Sequence, residues 1–305
     1  MEKIAIIGGI MKTCDFKTDV VILGAGVGGY EAFRTLTDQL KHHNLKKKIT
    51  LIDRNNYFTF TPMLHEVASG SVLPTHAAVA IRELIYKTPH QFLKATVKKI
   101  DPKKKFVETS CGKVYYDYCI TALGSETNFF NTAGAETYAH DVRTLSSALQ
   151  LQKDFARKLD DLDQDNEFYI TVVCGGFTGV EVAGQFSDLV NEEIKKLYPN
   201  KTIHIQIVHA GNTLMQQAPE KMQKKAEAKL KKEKVMIYFD CRAKEVTKNS
   251  VILDNGNTLV SDLTIWTAGF KNIGPHYLDE EFCEKDRIPV NQFLQLTLLR
   301  WLPQL

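Results

Sequence analysis

The chain has 305 residues, with 39 basic and 36 acidic side chains and a formal net charge of +3, too small an excess to argue for a nucleic-acid partner. Its length is a soft prior for about two domains of roughly 150 residues, and 44% hydrophobic with 25% charged residues is ordinary globular composition with material for a large core. The six cysteines, Cys14, Cys111, Cys119, Cys174, Cys241 and Cys283, form no CxxC pair and no zinc-like spacing with histidine; this fits reduced thiols in a cytosolic protein, and no apolar run reaches the roughly 18 residues that span a bilayer.

At the N-terminus "MEKIAIIGGI" is a weak secretory signal with no cleavage site behind it, and Met11 is an alternative start. The run "DVVILGAG" then ends in glycines and is followed by "VGGYEAFRTLTDQLKHH", where Tyr30, Phe33, Leu36 and Leu40 recur at helical spacing. "KKKITLIDRNNY" supplies a second strand that ends at Asp53, 29 residues after Gly24. Strand, glycine turn, helix and strand make a βαβ unit. A helix with Thr75 as N-cap is predicted over "THAAVAIRELIYK", and shorter strands over "FLKATVKKID", "KKKFVETS" and "KVYYDYCITALG". The triplets Lys46–Lys48 and Lys103–Lys105 read as solvated loop and strand ends.

After the helical "LSSALQLQKDFARKLDDL" the pattern begins again: strand "EFYITVVCGG", helix "TGVEVAGQFSDLVNEEIKKL", strand "KTIHIQIVHAG" and the charged amphipathic helix "EKMQKKAEAKLKKEK". Asn255-Gly256 favours a two-residue hairpin. The strand "DLTIWTAGF" leaves the second unit as "YDYCITALG" leaves the first.

A backbone that closely approaches a pyrophosphate needs residues without Cβ, and the next helix turns its free N–H groups and positive dipole end toward the anion. Gly24, Gly26 and Gly29, with Gly28 between them, fit this spacing, and Asp53 is placed to accept hydrogen bonds from an adenosine ribose. In "TVVCGGFTGVE" Cys174 takes the first glycine place, while Gly176 and Gly179 keep the second and third beside Gly175. With no partner cysteine near in sequence, Cys174 reads as a strand-end thiol rather than a redox group. His209 in "IVHAG" stands where an acid is expected. A carboxylate there would repel a 2′-phosphate; histidine does not, so the choice between NADH and NADPH stays open, as does a purely structural role for this residue.

Two dinucleotide units closed by "ALGS" (Ala122, Gly124) and "TAGF" (Ala268, Gly269) resemble the two-dinucleotide-binding-domain flavoproteins, which hold FAD in the first unit and NAD(P)H in the second. Within that group "LIDRNNYFTFTPMLHEVASG", "YDYCITALGSETNFFNTAG", "GGFTGVEVAG" and "TIWTAGF" resemble the type II NADH dehydrogenases. The resemblance implies an α/β fold of two Rossmann-like domains, the second inserted in the first: 15–137 for FAD, 138–269 for NAD(P)H, and 270–305 as an incomplete return to the FAD domain. It implies hydride transfer from nicotinamide to flavin and then electron transfer to a quinone, in respiratory electron transfer. Arg54 would join Asp53 in holding FAD, Pro62, Met63 and Leu64 would line the flavin, and Glu181 would relay protons, unless it only complements its helix terminus. His65 and Glu66 would serve the acceptor pocket or simply pack there.

Disulfide reductases of this fold carry a cysteine pair where this chain has "TPMLHEVASG", and sulfide:quinone reductases need reactive cysteines for which neither Cys111 nor Cys119 is convincingly placed. Family members also continue further, with a glycine-aspartate motif for FAD and a membrane-anchoring C-terminal region, whereas "IPVNQFLQL" here runs into "TLLRWLPQL". A truncated chain that holds FAD poorly is therefore expected. Two alternatives to quinone reduction remain, a soluble diaphorase with another acceptor and an inactive fragment. Peripheral attachment at the inner face of the cell membrane is expected of the full-length family, a homodimer is one possible assembly, and no metal is expected.

Overall fold

The computed structural model describes residues 15–161, 167–285 and 287–297; the two alternative starts, Cys14 and residues 298–305 of the terminal segment lie outside the described residues. The chain divides into two compact units, one of residues 1–58, 79–125 and 272–305, the other of residues 59–78 and 126–271.

The first unit contains β1 (Phe16–Leu23), α1 (Val27–His42), β2 (Ile49–Asp53), β3 (Gln91–Lys94), β4 (Val97–Asp101), β5 (Phe106–Thr109) and β6 (Gly112–Thr121). They form one sheet in the order β3-β2-β1-β6-β5-β4. β1 is parallel to β2 and β6, β2 is parallel to β3, and β4 and β5 pair antiparallel. The second half of β1, Val20–Leu23, is apolar without alternation because both of its faces are covered. Val20 and Ile22 share a core with Phe33 and Leu40 of α1, while Val21 and Leu23 pack with Ile52, Val107 and Val114. The lysines of the β4–β5 hairpin are exposed, with Lys99 paired to Asp279 at 2.8 Å and Lys103 to Glu281 at 2.7 Å.

The second unit contains α2 (Leu64–Ser69), β7 (Ala139–His140), α3 (Leu145–Asp160), β8 (Glu167–Val173), α4 (Phe177–Leu189), β9 (Thr202–Val208), α5 (Glu220–Lys232), β10 (Met236–Tyr238), β11 (Ala243–Val246), β12 (Ser250–Leu253), β13 (Thr258–Val260) and β14 (Leu263–Trp266). Its main sheet is parallel throughout, in the order β7-β14-β8-β9-β10, and β11 to β13 make a separate antiparallel sheet. α3 starts at a capping box, with Thr144 and Ser147 bonding each other's backbone N–H at 3.0 Å. In both units the strand before the glycine turn lies between the next strand and the returning one.

Four expectations change. Residues 59–78, assigned from the sequence to the first domain, belong to the second unit. The reason is α2, whose Leu64, Val67 and Ala68 are buried in one core with Leu151 and Phe155 of α3 and Val182 and Ala183 of α4; burying a Leu or Val side chain is worth about 1.5–3 kcal/mol. Accordingly the first chain crossing falls at 58/59, and the later boundaries at 125/126 and 271/272 rather than 137/138 and 269/270. The helix predicted over 75–87 is two short helices, Pro74–Ala77 and Ile81–Ile85, separated by extended residues 78–80 that pair with the strand Tyr57–Thr59. The Asn255-Gly256 turn is a three-residue connection: Leu253 N–H donates to Asn257 O and Gly256 N–H to Leu253 O, with Gly256 in the left-handed region at φ 89°.

Phe155 sits edge-on to Phe168 and Phe186, with ring centroids 5.9 and 5.3 Å away. Phe155→Ala should destabilise the second unit by about 3–5 kcal/mol, read as a lower urea midpoint with the first unit's transition unchanged.

Candidate functional site

In each unit a central strand with parallel neighbours ends in a glycine turn that starts a helix, and the same hydrogen bonds hold both turns. In the first unit Gly24 N–H donates to Ile52 O and Ala122 N–H to Leu23 O, both at 2.8 Å. In the second, Cys174 N–H donates to Val208 O at 2.8 Å and Thr267 N–H to Val173 O at 3.1 Å. Gly24 therefore corresponds to Cys174, Asp53 to His209, and the "ALG" of residues 122–124 to the "TAG" of residues 267–269.

Sterics dictate two of the turn residues. A Cβ on Gly29 would stand 1.8 Å from Gly24 O, and one on Gly179 would stand 1.8 Å from Cys174 O. Only glycine lets the helix approach the strand end so closely. At Gly26 and Gly28, by contrast, nothing lies within 4 Å of an added Cβ, so the space above the turn is open. α1 and α4 begin at Gly26 and Gly176 with no side-chain cap and no acid in the first turn. Their first amides have no intrahelical acceptor, and with the dipole they make an anion cradle.

Gly24 has φ 93° and Cys174 has φ 92°. The cysteine thus keeps the backbone that the glycine adopts without penalty, at a cost of about 1–3 kcal/mol for a residue with a Cβ in that region. Gly124 and Gly269 also have positive φ, 78° and 63°.

The side chains at the ends of β2 and β9 anchor the turns. Asp53 Oδ2 accepts from Ala25 N–H and Oδ1 from Asn55 N–H, both at 2.7 Å. His209 is buried; its Nδ1 accepts from Gly175 N–H at 3.1 Å and its Nε2 lies 2.9 Å from Thr213 O. The side chains of Arg54 and Glu181 are exposed and make no hydrogen bond or ion pair among the described residues. Glu181 is the fifth residue of α4, outside the first turn, so it does not complement the helix terminus as the alternative role required.

Pro62 and Met63 form a single exposed-to-half-buried turn in the second unit, where Met63 packs on the core below α2. Leu64 is buried there, the His65 side chain is half-buried, and the Glu66 backbone carbonyl accepts from Ser69 Oγ at 2.9 Å. Cys111 and Cys119 lie in the first unit, and burial pushes the Cys119 thiol up to about 12, away from thiolate reactivity.

Sequence reasoning missed three contributors around Ala268 and Gly269. Trp266 Nε1 donates to Ala268 O at 2.9 Å and to Asn128 O at 3.0 Å, and Thr267 Oγ1 donates to Val173 O at 2.8 Å. The Phe130 ring covers Gly269, where an added Cβ would come within 2.4 Å of it. The dipeptide "FF" before a turn carries no periodic signal that would have singled it out.

Two sheets whose central strands run parallel to both neighbours, each delivering a glycine turn to an uncapped helix, define a protein with two dinucleotide-binding folds. Residues 18–299 match the pyridine nucleotide-disulphide oxidoreductase family, and the chain belongs to that family. It is 26% identical over 298 residues to an external alternative NAD(P)H-ubiquinone oxidoreductase B1 of potato mitochondria, Solanum tuberosum, covering 88% of this chain and 50% of that one. A type II NADH:quinone oxidoreductase of Haemophilus influenzae is 26% identical over 287 residues, covering 83% of this chain and 64% of its own. Among solved structures, NDH2 of Plasmodium falciparum in complex with NADH superposes with a TM-score of 0.75 at 27% identity, over 84% of this chain and 56% of that one. The chain thus spans half to two thirds of the length of these relatives.

Cys174→Gly should relieve backbone strain of about 1–3 kcal/mol, offset by about 0.5–1 kcal/mol of glycine chain entropy. A net gain near 1 kcal/mol should raise the melting temperature of the second unit by about 2–4 °C in a thermal scan.

Proposed function

We propose that the chain holds FAD in its first unit and NADH or NADPH in its second, as the dinucleotide-handling part of an NAD(P)H:quinone oxidoreductase. The observation that carries this is the shared hydrogen-bond pattern of two anion cradles in one chain, taken with the names of relatives similar over most of its length. The residues present fit such groups. Gly26 and Gly28 leave the space a pyrophosphate needs, and the Asp53 carboxylate, half-exposed beyond its two backbone bonds, can accept from a ribose. Gly175, Gly176 and Gly179, with Ala268 and Gly269 after β14, would serve the second dinucleotide.

When bound, flavin and nicotinamide supply the hydride and electron-transfer chemistry. The protein's part is to hold and orient them and to move protons. Glu181 suits the last task, because an exposed carboxylate without a partner is free to exchange protons with a bound acceptor. Arg54 would meet the phosphates of FAD. A quinone acceptor brings the chain to a membrane surface, on its cytoplasmic side, by the peripheral attachment that the family resemblance implies; among the described residues no helix is long and apolar enough to cross a membrane.

Two measurements test the reading. Titrating the flavin-free chain with FAD should show saturable quenching of flavin fluorescence. Asp53→Ala, which removes a charged acceptor worth about 1.5–3 kcal/mol, should weaken that binding by roughly 10- to 150-fold. FAD uptake that is indifferent to Asp53 would remove the first-unit assignment. In the reconstituted chain Glu181→Gln should slow quinone-dependent reoxidation by about 10²- to 10⁴-fold and leave reduction by NADH nearly unchanged; equal effects on both would make Glu181 structural.

A further inference from the structure

His209 stands at the end of β9 where Asp53 stands at the end of β2, yet its ring is occupied differently from a ribose ligand. Both nitrogens are committed inside the second unit. Gly175 N–H can only donate, so Nδ1 must accept; Thr213 O can only accept, so Nε2 must carry the proton. The ring is therefore the neutral Nε2–H tautomer, and its two partners leave no nitrogen for a ligand.

Those bonds belong to a closed circuit. Gly175 N–H donates to His209, His209 donates to Thr213 O, and Met215 N–H returns to Gly175 O at 2.8 Å. The backbone of His209 is itself held, its N–H by Tyr238 O at 2.8 Å and its carbonyl by Cys241 N–H at 3.2 Å. Packing closes what remains: an added Cβ on Gly175 would come 2.4 Å from Leu214 and 3.1 Å from the His209 ring, and one on Gly211 would come 3.1 Å from Nε2.

The first unit explains why an imidazole serves here. After β2 the following loop offers an N–H, from Asn55, and a carboxylate accepts both from it and from Ala25. After β9 the loop offers a carbonyl, Thr213 O. A carboxylate would set oxygen against oxygen, whereas neutral imidazole accepts on one side and donates on the other. Nδ1 of histidine and Oδ of aspartate are equally many bonds from Cα, so each reaches the turn N–H from the same strand position.

We infer that His209 is a positioning residue: it fixes the second glycine turn to the 213–215 loop as a neutral, doubly bonded ring, and so presents the dinucleotide with neither a ribose ligand nor a charge. With no carboxylate to repel a 2′-phosphate, the second unit accepts NADH and NADPH with similar affinity; this last consequence rests on the proposed nicotinamide site.

The test compares His209→Ala, His209→Asn and His209→Asp with the parent chain by two readouts, amide hydrogen exchange at Gly175 without nucleotide, and dissociation constants for NADH and NADPH by calorimetry. Alanine should speed Gly175 exchange and weaken both nucleotides in parallel by about 3- to 10-fold, the effect of one lost hydrogen bond. Asparagine keeps an acceptor at the same reach and should restore slow exchange and both affinities. Aspartate should keep NADH binding but weaken NADPH by about 10-fold or more through its charge. Unchanged Gly175 exchange in the alanine variant would overturn the anchoring role, and loss of NADPH affinity alone would make His209 a direct 2′-phosphate ligand. A parent chain that binds neither nucleotide would overturn the nicotinamide site, while the exchange comparison would still judge the anchor.

Discussion

The closest approach in each unit is between a backbone carbonyl and a helix that has no room for a side chain. The carbonyl of residue 24 or 174 lies where a Cβ on residue 29 or 179 would intrude to 1.8 Å. That contact brings the first turn of the helix against the end of the central strand. It is what aims the uncapped amides past the carboxyl end of the central strand, where an anion can reach them. The central strand with parallel neighbours and two covered faces, the returning strand that leads into residues 122–124 or 267–269, and the carboxylate or imidazole at the next strand's end all support this one geometry. Remove the close approach and the amides lose their common direction, although every strand could still pair.

The two units solve the same geometry with different residues, and the differences are informative because the hydrogen bonds match position by position. The second unit places a cysteine where the first has a glycine, with the same backbone angle to within a degree. Its strand and loop partners hold that angle: Cys174 N–H is fixed by Val208 O, and the carbonyls of Val173 and Cys174 are approached by Thr267 Oγ1 at 2.8 and 3.2 Å. The added threonine bond has no counterpart at Ala122. The exchange of Asp53 for His209 follows the polarity of the next loop, an N–H in one unit and a carbonyl in the other. Charge at the dinucleotide site is thus a by-product of which backbone group the loop presents.

The segment 59–78 shows how domain membership is decided by burial rather than by sequence order. It follows shortly after the strand that ends at Asp53, yet the apolar face of α2 is completed by α3 and α4, which come about 80 and 110 residues later. Extended residues 78–80 then interrupt what is otherwise a helical pattern, because there the chain pairs with 57–59 as it returns to the first unit.

The sequence by itself determined the paired strand, turn and helix, the parallel pairing of the two strands in each such unit and the position of each cradle glycine. These rest on local requirements: glycine where a Cβ cannot fit, helical spacing of Tyr30, Phe33, Leu36 and Leu40, and unbroken apolar strands that need cover on both faces. The tertiary structure decided that His209 faces inward, that Cys174 holds a glycine-like backbone, that Phe130 covers Gly269, and that α2 joins the second unit. Each depends on a neighbour far along the chain, as Gly175 and His209 are 34 residues apart. A pattern read along a strand or helix tells which face is apolar, but the partner that completes a hydrogen bond or a core is set only when the sheet brings distant strand ends side by side.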